Sequence, residues 1–306
     1  MSLADVAEKS LKGGDPVAAL AQLQEQVRAK PADPKLRVFL FQLLCVLGQW
    51  ERALNQLDVA SGLDPEAVAM NKTYGDAVRC EAIRRDVFEG KKSPMIFGQP
   101  DQWLALLIES MLVAAGGERE RSQQLRARAF EEAPTSEGEI DGKPFSWIAD
   151  ADSRLGPVLE AVINGRYYWV PFSRLSKIEL EPPEDLRDMV WIPAHLQFEN
   201  GGESVALIPT RYTGSESSED GLIALARKTV WEEIDPDSHR GLGQRILATD
   251  IDDFPLLEVR TISITSRVDE TADATETPAT TDTAAAPEGP GGIDAADAAD
   301  RRDDHG

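Results

Sequence analysis

The chain has 306 residues, 42% of them hydrophobic and 28% charged, which is enough to bury more than one core and fits about two domains. A formal net charge of −22 argues against a protein that lives on nucleic acid, because phosphate binding draws its affinity from clustered Lys and Arg. Two cysteines, Cys45 and Cys80, make no disulfide framework and read as buried reduced thiols.

No apolar stretch reaches the roughly 18 to 20 residues needed to span a bilayer, since Arg37 and Gln42 interrupt one run and Glu109 another. The opening MSLADVAEKS lacks the basic and apolar segments of a secretory signal. A cytoplasmic location, away from membranes, is the expectation.

Residues 11–31 laid on 45–65 share Gly14/Gly48, Ala19/Ala53, Leu20/Leu54, Gln22/Gln56, Leu23/Leu57 and Pro31/Pro65 at an offset of 34. That offset is the tetratricopeptide period. Each shared residue has a physical role in a helical hairpin: Gly makes the turn, Ala lets helices approach, Leu faces the core and Pro ends the second helix. A third Gly-to-Pro pair, Gly117 to Pro134, has the same spacing, with Ser122 and Gln123 in place of Ala-Leu. The gap before it leaves room for a divergent hairpin built from Glu66 to Glu89 and Trp103 to Ala115. Four hairpins are therefore expected over 1–135. Lys35 to Leu47 is apolar on nearly every side, with Leu36, Leu40, Leu43 and Leu47 on one face and Phe39 and Val46 on another, and is the expected inner helix.

After Pro134 a Ser, Glu and Gly rich stretch gives way to short apolar runs: Val158 to Ile163, Tyr167 to Phe172, Lys177 to Leu180, Met189 to Phe198, Ser204 to Pro209, Arg245 to Thr249 and Leu256 to Ile264. Period-two alternation and β-branched or aromatic content make these strands, with a helix near Asp220 to Lys228. The fold class is multidomain α and β: helical tetratricopeptide-like repeats over 1–135, then a β-rich α+β domain over 140–266. Residues 267–306 hold almost no large apolar side chains and carry eleven acidic and three basic residues, a net −8 that leaves −14 for the rest. This composition predicts a disordered acidic tail.

Candidate chemistry is sparse. His195, His239 and His305 share no metal-protease spacing, and His195 falls in an expected strand. Gly241-Leu242-Gly243-Gln244-Arg245 lacks the third glycine of a phosphate loop and reads as a turn. Asp150 with Asp152 beside Arg154, and Asp250 with Asp252 and Asp253, could offer oxygens to a divalent cation; the alternatives are a structural ion pair with Arg154 and a decorated turn. No nucleophile elbow or Cys-x-x-Cys is present, and no cofactor is expected. An enzyme reading would have to rest on Asp150 and Asp152, as a metal-dependent hydrolase or transferase.

Trp147, Tyr167, Tyr168, Trp169, Trp191, Tyr212 and Trp231 crowd the second region together with Arg154, Arg166, Arg187 and Arg211. These residue types dominate interface hot spots, and the same rings also fill cores. Candidate protein-binding residues are Phe39, Gln42, Val46 and Trp103 among the repeats, and Trp147, Arg154, Tyr168, Arg187, Trp191, Arg211 and Trp231 beyond them.

The run Phe145-Ser146-Trp147-Ile148-Ala149-Asp150-Ala151-Asp152-Ser153-Arg154-Leu155-Gly156-Pro157 is the most specific stretch, followed by Gly165-Arg166-Tyr167-Tyr168-Trp169-Val170-Pro171. Leu186-Arg187-Asp188 with Trp191, Ile208-Pro209-Thr210-Arg211-Tyr212, Arg227-Lys228-Thr229-Val230-Trp231 and Gly243-Gln244-Arg245 complete the set. Together with the repeats they resemble the ImpE family, also called SciE or TagJ, across roughly residues 5 to 265. The resemblance implies a cytoplasmic, non-enzymatic accessory factor of bacterial type VI secretion. It further implies a partner, the N-terminal amphipathic helix of the small sheath subunit TssB, and a role in sheath assembly or ClpV-linked recycling. Stacked hairpins offer a groove that suits such a helix.

Overall fold

The computed structural model describes residues 3–265, and the expected tail over 267–306 lies outside them. Seven helices come first: α1 (Leu3–Lys12), α2 (Pro16–Ala29), α3 (Pro34–Val46), α4 (Trp50–Leu63), α5 (Ala67–Phe88), α6 (Gln102–Ala115) and α7 (Arg119–Glu132). The repeat glycines explain how they turn. Gly14, Gly48 and Gly117 sit at φ +80°, +63° and +87°, a left-handed conformation that costs a side chain dearly. Around Gly48 the amide of Gln49 donates to Leu44 O and that of Gly48 to Cys45 O, closing α3 in a Schellman motif. The same pair of bonds closes α1 at Gly14 and α6 at Gly117.

Three hairpins follow, α1–α2, α3–α4 and α6–α7, with α5 standing between as a single helix of 22 residues. This corrects the expectation of four. Helix α6 pairs with α7 rather than with α5, because β1 (Met95–Ile96) intervenes and is captured by the sheet.

Beyond the helices lie β2 (Gly138–Ile140), β3 (Lys143–Phe145), β4 (Ile148–Asp150), β5 (Val158–Ile163), β6 (Arg166–Pro171), β7 (Leu175–Leu180), β8 (Trp191–Phe198) and β9 (Glu203–Pro209). Then come a short helix α8 (Gly221–Ala224), β10 (Thr229–Asp235), β11 (Ser238–Gly243), β12 (Ile246–Thr249), β13 (Asp253–Pro255) and β14 (Thr261–Ile264). Nine strands form one sheet in the order β1-β6-β5-β9-β8-β7-β14-β2-β3, parallel at β1–β6 and antiparallel elsewhere. β10–β11 make a separate ribbon, and β13-β12-β4 a small third sheet.

The Gly241 to Gly243 segment, expected as a turn, is strand: it ends β11, opposite Thr229, Val230 and Trp231. A side chain at Gly243 would meet Lys228 O at 1.8 Å, so close backbone approach explains that glycine. Leu256 to Ile264 is not one strand either, since Leu256–Glu258 form a 3-10 turn before β14. The helix expected from Asp220 to Lys228 stops at Ala224, with Ala226 at φ +54°.

Period-two alternation divides the sheet between two cores. Val158 and Val162 of β5, Tyr167 and Trp169 of β6, Trp191 of β8 and Leu207 of β9 join Leu23, Phe41, Leu57, Val78 and Leu104 of the helices. Leu159, Ala161 and Ile163 turn the other way, into a core with Ile178, Ile192, Leu196, Ile208 and Ile262. Helices and sheet thus share the first core. Among the described residues no helix is long and apolar enough to cross a membrane.

Candidate functional site

Where the sheet meets the repeats, their shared face is filled from the sheet side. Trp191, fully buried, places its ring 5.9 Å from that of Trp50 and 6.3 Å from Tyr74, and its Nε1 donates to Glu81 Oε1 at 2.8 Å. Arg211 on the sheet side is also buried, and its guanidinium donates to Val46 O at 2.7 Å, Cys45 O at 3.3 Å and Ala224 O. These carbonyls end α3 and α8, so the cation sits where both helix dipoles are negative. Burial pulls the Arg211 pKa down, opposed by Glu216 and Glu81.

Beneath lies a network of buried charge. β5 is buried along its length, and its alternation points Glu160, like Val158 and Val162, at the helices. Arg84 of α5 meets it with two bonds, Nε to Oε1 at 2.7 Å and Nη2 to Oε2 at 3.0 Å, and also donates to Arg211 O at 2.6 Å. Arg245 donates to Glu160 Oε2 at 2.8 Å and, through Nε and Nη2, to Asp150 Oδ2 at 2.9 and 2.6 Å. Tyr167 OH donates to Glu160 and accepts from Trp169 Nε1 at 2.8 Å. Burial works to raise the Glu160 pKa, but Arg84 and Arg245 hold it below the ordinary value.

Asp150 and Asp152, the candidate cation ligands, are spent within this network. Asp150 Oδ1 accepts from Asp152 N at 2.8 Å, while Asp152 accepts from Arg154 Nε at 2.9 Å, Arg154 Nη2 at 2.6 Å and Gly241 N at 3.0 Å. Arg154 stacks over Phe88 at 4.7 Å. Two buried carboxylates held by guanidinium groups form a structural joint between β4, the sheet and the β10–β11 ribbon. Of the other acidic set, Asp250 accepts from Ser146 N at 2.7 Å, tying two loops together.

Burial lifts the Asp150 pKa to about 6, against the pull of Arg245. Between the ordinary 3.8 and about 6 the folded chain holds a proton that the unfolded chain has released, so this group lowers stability as pH rises through that window. The window spans about 3 kcal/mol at 1.4 kcal/mol per pKa unit. Asp150→Asn cannot titrate. Urea unfolding of both proteins from pH 4 to pH 7 is expected to show the difference moving by roughly that amount in favour of the variant. A pH-independent difference would contradict the assignment.

Apart from this network, a groove of about 620 Å³ opens between α1, α3 and residues 183–189. Asp33 caps α3, accepting from Lys35 N at 3.0 Å and Leu36 N at 3.3 Å, and Pro34 starts the helix. The capped helix presents Val38 and Phe39, both half-buried, to the groove beside Gln42. Opposite them, Asp188 accepts from Glu184 N and Asp185 N at 2.8 and 2.7 Å and fixes the turn that offers Leu186 and Met189. Arg227 closes one end by donating to Leu11 O at 2.7 Å. The rim carries both signs of charge, with Glu8, Asp64 and Glu184 against Lys12 and Lys35.

Of the candidate binding residues, only Phe39 and Gln42 line this groove, Phe39 half-buried and Gln42 buried. Val46, Trp103, Trp191 and Arg211 are buried, and no partner can reach their side chains in the folded chain. Arg187 lies over the Tyr74 ring at 4.8 Å. Tyr168 is half-buried against Phe97 at 5.8 Å. Trp147 and Trp231 are 40% and 41% exposed, Trp231 leaning on Tyr212 at 5.5 Å. The sequence reading missed Arg84 and Glu160. A lone carboxylate inside the apolar strand VLEAVI was the available signal, since it demands a buried cation.

Comparison with known proteins agrees with this architecture. A family model described as ImpE protein matches residues 142–263, and a tetratricopeptide repeat model matches residues 10–72. The type VI secretion system accessory component TagJ of Pseudomonas aeruginosa is 48% identical over 259 residues, which cover 85% of this chain and 91% of that protein. The crystal structure of protein VPA1032 from Vibrio parahaemolyticus is similar with a TM-score of 0.78 at 25% identity, over 86% of this chain and 98% of the other.

Proposed function

The chain belongs to the ImpE family, and on that premise we propose that it is a non-enzymatic adaptor of a type VI secretion system, working in the cytoplasm. Its partner in this reading is the amphipathic N-terminal helix of the small sheath subunit TssB, and its task is to assist sheath assembly or ClpV-linked recycling. The observation that carries the proposal is the open groove lined by Val38, Phe39, Leu186 and Met189. An apolar floor with a rim of both charges matches a helix that is apolar on one face and charged on the other. The repeat region, 1–135, supplies the α1 and α3 wall, and the β-rich region, 140–266, supplies the other. Phe39 is the proposed contact, and the buried Gln42 lines the same groove. Against catalysis by Asp150 and Asp152 stands their saturation by Arg245, Arg154 and backbone amides.

Titrating a labelled TssB N-terminal peptide with the full chain tests the proposal. Saturable binding tighter than about 100 μM is expected. Phe39→Glu, which puts a charge on the groove floor, is expected to weaken it by about tenfold or more. Absence of binding removes the proposal; unchanged binding by a folded Phe39→Glu variant removes the groove as its site.

A further inference from the structure

A second cavity, of about 450 Å³, lies between the α6–α7 hairpin and the β10–β11 ribbon. Its wall takes in Arg119, Arg126, Arg154 and Arg240, although the chain carries a net charge of −22. Arg154 and Arg240 are neutralised, by Asp152 and Glu232. Of the three carboxylates on the wall, Glu89 is held by Lys91 and Asp235 by Arg126, while Glu233 has no ion pair among the described residues.

Arg126 is different. Its side chain is only 5% exposed, yet its one hydrogen bond among the described residues runs from Nη2 to Asp235 Oδ2. A guanidinium stays charged and carries five donors, so taking it out of water calls for more than one acceptor. Asp235 has the converse deficit: its Oδ1 is buried with no donor. Arg119 and Ser122 precede Arg126 at i, i+3 and i+7 spacing, on one face of α7. The cavity therefore lacks an anion with several acceptor oxygens and lacks one donor beside Asp235.

We propose that this cavity binds a phosphate group in its monoanionic form, either a free phosphate or a phosphate monoester, through Arg126, Arg119 and Ser122, with the P–OH donating to Asp235. Sulfate offers the same oxygens without the proton.

Calorimetric titration of the full chain near pH 6 with inorganic phosphate, and with sulfate at matched ionic strength, tests this. Phosphate is expected to bind with a Kd on the order of 1 mM or tighter, and sulfate about tenfold more weakly. Arg126→Gln is expected to abolish phosphate binding. The exposed Arg119→Ala, which leaves the core untouched, is expected to weaken it several-fold should Arg126→Gln fail to fold. Arg121→Ala, which removes a cation paired with Glu109, is expected to change nothing. Tighter binding of a phosphoserine peptide than of free phosphate would identify a phosphorylated side chain as the occupant, and the reverse order the free ion. No binding of either phosphate species, equal affinity for sulfate, or insensitivity to Arg119→Ala overturns the proposal.

Discussion

Replacing Arg84 by alanine is expected to cost about 3 to 5 kcal/mol of unfolding free energy, the range seen when one partner of a buried ion pair is removed. Arg84 bonds both oxygens of Glu160 and the carbonyl of Arg211, so its loss strips a fully buried carboxylate of its bidentate partner. Denaturant unfolding measures the effect. Arg79→Ala, one turn away in an exposed pair with Asp76, is the control and should change stability by no more than about 0.5 kcal/mol. Replacing Arg84 and Glu160 together by methionine should recover much of the loss, because the cost of a broken buried pair lies mostly in the charge left behind. A single Arg84→Ala no worse than Arg79→Ala would refute the joint.

Trp191→Ala is the second large effect, with an expected cost of about 3 to 5 kcal/mol from lost burial and the cavity left behind. The ring fills the space between Trp50 and Tyr74, and Glu81 loses the indole donor. Trp191→Phe separates the two contributions: it keeps much of the ring and leaves Glu81 short of a donor, at about 1 to 3 kcal/mol. Both follow from the fluorescence or circular dichroism unfolding midpoint. If Trp191→Ala costs under about 1 kcal/mol, the sheet is not anchored through this ring.

Much of the helical region was legible because its signals are local. The turn glycines at 14, 48 and 117 mark the ends of three first helices, and each adopts the left-handed conformation that the repeat pattern required. Val158 to Ile163 was read to the residue, because a run of apolar β-formers admits few alternatives. What escaped depended on distance. Met95 and Ile96 become strand only because β6 offers an edge, so the sequence between α5 and α6 looked like a helix connection. The β10–β11 ribbon was hidden because its burial pattern is mixed and its glycines imitate a turn. Arg84 and Glu160 lie 76 residues apart, and no periodicity links them.

The same distance effect changes the picture of binding. Stacked hairpins alone suggest an open groove for a helix, yet here Trp191 and Arg211 from the sheet fill part of the face that α3 turns inward. Aromatic and arginine residues whose types suit both interface and core divide accordingly: Trp191 and Arg211 are core, while Trp147 and Trp231 remain at the surface. Phe39 stays half-buried at the open groove, which the buried Gln42 also lines, and there the helical repeats can still meet a partner.

Hydrogen exchange of the full chain with and without the TssB N-terminal peptide tests that reading most directly. The expected result is slowed exchange in residues 34–42 and 183–189, the two walls of the groove, with α4 and the β10–β11 ribbon unchanged. Slowed exchange confined to α4 or to the ribbon, with both groove walls unaffected, would contradict it.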